Sequence, residues 1–84
     1  DEGARERYRL VSEGGVPQWV ELRSGDLLDE AHELDEAGLV SRSLFRIAKP
    51  DGAVEIRYQR ADDGSVEAAV RFGREGRELS LYKG

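Results

Sequence analysis

Glycines at positions 38, 52, 64 and 76 recur at spacings of 14, 12 and 12 residues, and each ends a polar turn. The turns read Asp35-Glu36-Ala37-Gly38, Pro50-Asp51-Gly52, Asp62-Asp63-Gly64 and Arg74-Glu75-Gly76. After each comes a run in which apolar and charged residues alternate, most cleanly Val54-Ile56-Tyr58 and Val66-Ala68-Val70-Phe72. Alternation of period two is the mark of a strand with one face buried. Residues 39–83 therefore read as a four-stranded antiparallel meander. Val54, Ile56, Tyr58, Val66, Ala68, Val70 and Phe72 are expected on its inner face, with Leu79 and Leu81. Glu55, Arg57, Gln59, Glu67, Ala69, Arg71, Glu78, Ser80 and Tyr82 are expected outside. In residues 39–48, Phe45 and Ile47 fit the inner face beside Ser41 and Ser43, whereas Val40 and Leu44 fit the other. A one-residue bulge reconciles them.

Upstream, Glu6-Arg7-Tyr8-Arg9-Leu10 and Gln18-Trp19-Val20-Glu21-Leu22 read as two strands joined at Gly14-Gly15, an N-terminal β-hairpin. Residues 1–4 are expected to be a frayed end. Pro17 fits a strand start or an edge. Trp19 points away from Val20 and Leu22 unless a bulge re-aims it.

Residues 26–37 carry six acids (Asp26, Asp29, Glu30, Glu33, Asp35, Glu36) and no base. Leu27, Ala31 and Leu34 form a narrow stripe on a helical wheel, Ser24 or Asp26 offers an N-cap, and Gly38 suits a C-terminal cap. This predicts an amphipathic acidic helix over about 26–37, packed on the meander, and an α+β fold in one domain over 1–84. The competing reading is a hairpin, with His32-Glu33-Leu34 and Leu39-Val40-Ser41 paired around Asp35–Gly38. One local conflict stands out: Glu33, Asp35 and Glu36 crowd the end of the helix where the dipole favours bases. Arg42 or Arg46 on the next strand is the expected neutraliser.

Eighty-four residues make one small domain with 38% hydrophobic and 37% charged residues. No apolar run is long enough to span a bilayer as a helix, and the N-terminal residues do not read as a secretory signal. Cysteine is absent, so disulfides and thiolate chemistry are excluded. Thr, Asn and Met are also missing, and eleven of the thirteen basic residues are Arg. A designed or simplified-alphabet scaffold with no natural ligand is one reading of that bias.

The net charge is −5, yet residues 38–84 hold nine bases against seven acids. An acidic chain is a poor non-specific binder of nucleic acid. A nucleic-acid reading therefore needs the outer sheet face, through Arg57, Arg71 and Tyr82. His32 is the sole histidine, with Asp29 and Glu36 at helical spacing but no second His or Cys to complete a metal site. None of the six serines lies in a nucleophile elbow. No catalytic, metal or cofactor site is expected. The leading reading is a non-enzymatic protein–protein interaction module, immunity- or inhibitor-like, presenting Asp29, Glu30, Glu33 and Glu36 to a basic partner.

Two family resemblances attach to these motifs. Glu33–Arg42 with Phe45-Arg46-Ile47 and Pro50-Asp51-Gly52 resembles the end of a winged-helix recognition helix entering its wing, which implies DNA reading. The matching segment is acidic, however, and the two helices that precede it in that family are lacking. Gly52-Ala53-Val54-Glu55-Ile56-Arg57-Tyr58 and Gly64-Ser65-Val66-Glu67 resemble the β-rich repeats of large bacterial toxin shells, without their Tyr-Asp dipeptide.

Overall fold

A computed structural model describes the backbone of residues 8–83 and the side chains of residues 8–79. The expectation for residues 1–4 lies outside them. Seven strands follow one another: β1 (Tyr8–Glu13), β2 (Val16–Ser24), β3 (Leu27–Leu34), β4 (Val40–Phe45), β5 (Glu55–Arg60), β6 (Val66–Phe72) and β7 (Glu78–Lys83). They form one antiparallel sheet in sequence order, so each strand pairs only with its neighbours in the chain. The fold is all-β. The α+β architecture and the acidic helix over 26–37 are overturned.

Three features turn that segment into a strand. Gly25, with φ of 60°, takes the first central place of a two-residue loop closed by Ser24 and Leu27, which reverses the chain where a cap was expected. Asp35 then makes the next reversal: its carboxylate accepts from the amides of Ala37 and Leu39, both at 2.9 Å, and Gly38 has φ of 83°. Between these turns, extended backbone gives the acids what a helix could not. Asp29 pairs with Arg46, Glu33 with Arg42, and Glu30 lies 2.9 Å from His32. The chain takes the competing hairpin around Asp35–Gly38, and non-local pairing overrides the helical spacing.

The glycine period is a turn period. At residues 35–39, 49–53, 61–65 and 73–77 the first amide donates to the carbonyl of the last residue, and the glycine amide donates back to the first carbonyl. Gly64 shows why glycine is needed: its φ is +89°, and an added Cβ would lie 3.1 Å from Leu39 Cδ1. Gly64→Ala is expected to cost about 1–2 kcal/mol in chemical denaturation, from left-handed backbone alone. Gly14 also has positive φ (+58°), but open space around it. An equal cost for Gly14→Ala would show that the Leu39 contact adds nothing.

The register divides the sheet in a way the alternation did not reveal. Ile56 stands opposite Arg71 and Tyr58 opposite Ala69, whereas Ala68, Val70 and Phe72 stand opposite Gln59, Arg57 and Glu55. Directly opposed residues share a face, so the apolar sets of β5 and β6 lie on opposite sides. The single greasy inner face is overturned with the helix it was meant to hold. One face carries Arg9, Trp19, Glu21, Glu33, Arg42, Leu44, Arg57 and Phe72; the other carries Leu10, Val20, Leu22, His32, Ser43, Phe45 and Ile56. Trp19 does face away from Val20 and Leu22. Gln18 is the extra residue between the Val11–Trp19 and Ser12–Pro17 pairs, and Ser41 is the extra residue between Arg42 and Val40. Ile47 lies past the end of β4, 65% exposed.

A single layer buries little. Among the described residues the buried apolar ones are Leu22, Ala31, Ala53, Ala68 and Ala69. Side-chain hydrogen bonds add ties between the strands. Arg60, for example, donates to the carbonyls of Val40 and Gly64 and so ties β4 to the β5–β6 turn.

Candidate functional site

Three clusters concentrate the chemistry. The first is Glu21, 2% exposed in the middle of β2. Its carboxylate accepts from Trp19 Nε1 at 2.9 Å, Arg23 Nε at 2.7 Å and Arg9 Nη2 at 2.9 Å. Alternation along β2 puts Trp19 and Arg23 on either side of Glu21 on one face, and β1 supplies Arg9 directly across. The indole N–H first, then the Arg23 guanidinium, hold its pKa down to about 2. The three donors converge on one anion, so the cluster is a cross-strand tie.

The second lies on the opposite face, where β3 and β4 pair His32 with Ser43. His32 Nδ1 is 2.7 Å from Ser43 Oγ, and Nε2 is 2.9 Å from Glu30 Oε1. Tyr8 donates its hydroxyl to the same Glu30 oxygen at 3.1 Å. The imidazole is flanked by Tyr8 and by Phe45, with centroids at 6.1 and 5.9 Å. A carboxylate, an imidazole and a hydroxyl in a row are the parts of a nucleophilic relay. Ser43, however, is 1% exposed, so no substrate carbonyl reaches its oxygen. The row is a satisfied polar ladder across β1, β3 and β4. Periodicity could not find it, since Ser43 and Glu30 meet His32 only through strand pairing.

The third is a concavity of about 410 Å³, lined by Leu28, Ala31, Leu44, Phe45 and Val54. Asp29, Glu30, Arg46 and Arg74 complete its wall. Asp29 accepts from Ser24 Oγ and from Arg46 Nε, and these hydrogen bonds, Ser24 first, hold its carboxyl below the usual aspartate range. Arg74, at the β6–β7 turn, has no hydrogen bond or ion pair among the described residues. An apolar floor with one unspent guanidinium on its wall can take an apolar side chain beside an acid.

The four acids expected to form one surface are dispersed. Glu33 lies on one face of β3 and Glu30 on the other, Asp29 is the extra residue between the Leu22–Glu30 and Arg23–Leu28 pairs, and Glu36 is in the exposed β3–β4 turn. Three of the four already have basic or imidazole partners. Arg42 bridges Glu33 and Glu55, and Arg57 pairs with Glu55 and lies over the Phe72 ring, 4.7 Å from its centroid. Glu33, by hydrogen bond and charge, raises the Arg42 pKa further. Arg57 and Arg71 stand on opposite faces, and Arg71 is taken by Asp51; the side chain of Tyr82 lies outside the described residues. No group of three or more His, Cys, Asp or Glu suited to a metal occurs among the described residues.

Comparison with protein-family profiles, with curated proteins and with solved structures finds no match to this chain. The winged-helix resemblance loses its basis in the fold, because Glu33–Arg42 is the end of β3, a turn and the start of β4.

Proposed function

We propose that this protein is a non-enzymatic protein-binding module, and that it takes an apolar side chain of its partner into the concavity between Leu28 and Val54. The single observation behind this reading is the one-layer sheet, which leaves an apolar hollow with no second layer over it among the described residues. Leu28, exposed, forms part of its rim. Arg74 favours an acidic residue next to the inserted side chain. Asp29, Glu30 and Glu33 are engaged within the sheet, so the reading is placed on the hollow and not on these acids.

The test places a photo-crosslinking residue at Leu28 and, as a control, at exposed Glu67 on β6, followed by irradiation in cell extract. The expected result is a discrete protein adduct from position 28 alone, lost when Val54→Lys puts a charge into the hollow. Equal adducts from both positions, or none from position 28, would overturn the reading.

A further inference from the structure

β1 ends the sheet and pairs as a strand only with β2, so at Leu10 and Ser12 its outer side meets no other strand among the described residues. Edge strands of soluble proteins are usually blunted by proline, lysine or a bulge. Here β1 reads Tyr-Arg-Leu-Val-Ser-Glu with none of these. Its bulge partner is Gln18 on β2, so β1 itself stays regular, and Pro17 lies on β2.

The turn fixes which backbone groups face outward. Gly14 and Gly15, both with positive φ, form a two-residue loop closed by the Glu13–Val16 pair. That pair exchanges both hydrogen bonds in such a hairpin, and the pattern alternates along an antiparallel ladder. Glu13, Val11 and Arg9 therefore spend their backbone groups on β2. Ser12 and Leu10 direct theirs to the open side.

We infer that this edge pairs with the same edge of a second copy, antiparallel, about a two-fold axis at Val11. In that register Val11 faces Val11, Leu10 faces Ser12 twice, and Arg9 faces Glu13 twice. The Leu10–Ser12 pairs use the outward amides and carbonyls. Opposite charges meet at both ends, which a one-residue slip in either direction would lose. The axis stands perpendicular to the sheet, so like faces continue across the junction and seven strands become fourteen. Leu10, 53% exposed in one copy, gains cover from its neighbour. Arg9 keeps its bond to Glu21, for its side chain is 72% exposed and has room for a second carboxylate. The segment is short, so the dimer is weak and concentration-dependent. This site is separate from the concavity.

Sedimentation equilibrium from 10 µM to 1 mM, roughly the range where small interfaces associate, should show monomer passing to dimer. Amide exchange at Leu10 and Ser12 should slow as concentration rises. Leu10→Pro removes an outward donor while leaving the β2 ladder intact, and should keep the chain monomeric throughout. Glu13→Lys, at an exposed position, sets like charges together and should weaken the dimer at least about tenfold. If Leu10→Pro fails to fold, Glu13→Lys and the exchange data decide alone. A monomer at 1 mM overturns the inference, as does a dimer indifferent to Glu13→Lys whose exchange protection lies elsewhere.

Discussion

Acid should loosen this sheet between about pH 4.5 and pH 2, and replacing Glu21 by glutamine should remove much of that sensitivity. The carboxyl has a folded pKa near 2, below the ordinary 4.5 it regains on unfolding. A depressed folded pKa stabilises the native state above the unfolded value, and the contribution is lost as pH falls through the folded value. The wild-type protein should therefore show a denaturation midpoint that is flat above pH 5 and falls steeply below 4.5. Asp29 and Asp63 are shifted in the same direction, through Ser24 and Ser65 respectively, and add to the slope. Glu21→Gln keeps the shape and accepts hydrogen bonds less well, so it should be weaker at pH 7 and nearer to wild type at pH 2. Melting curves at pH 7, 4 and 2 read both effects. Parallel pH profiles for the two proteins would show that Glu21 is not the group that titrates.

The second large effect is expected at Leu22. It is the one buried apolar residue larger than alanine among the described residues, and it sits on the β2 position facing Tyr8 and Glu30. Leu22→Ala should cost about 2–4 kcal/mol. An 84-residue domain has a total stability of only about 4–13 kcal/mol. With a urea slope of about 1 kcal/mol/M, the midpoint should drop by about 2 M or more. Leu10→Ala, on the same face but half exposed, is the matched control. Equal shifts at the two sites would mean that the face has no interior at all.

The glycine period and the strands after residue 38 were legible because a left-handed turn residue and a two-residue alternation are local signals. Segment 26–37 was not legible for the opposite reason. Leu27, Ala31 and Leu34 satisfy a helical stripe, while the choice against a helix is made by Arg42 and Arg46, which lie beyond the next turn. Gly25-Asp26 did carry a hairpin signal, since glycine followed by aspartate suits a two-residue loop. It was outweighed by capping chemistry that uses the same residue types. The two-faced sheet was hidden more deeply. Val54-Ile56-Tyr58 and Val66-Ala68-Val70 each alternate, yet only register says whether the two apolar sets point the same way. Of the candidate sites, His32 was visible as a residue. Its partner Ser43 and the hollow around Leu44 exist only after strands are paired.

Extensive contacts run only between consecutive strands. Among the described residues no extensive contact joins the two ends of the sheet, so no strand is the keystone of the others. Such a ladder behaves like a row of coupled links, each stabilised by the one before and after. Opening should begin at either outer strand and proceed inward, with amide protection graded from the middle to the margins. By the same logic, a hairpin spliced in or excised between two existing turns would lengthen or shorten the row while the remaining links keep their geometry.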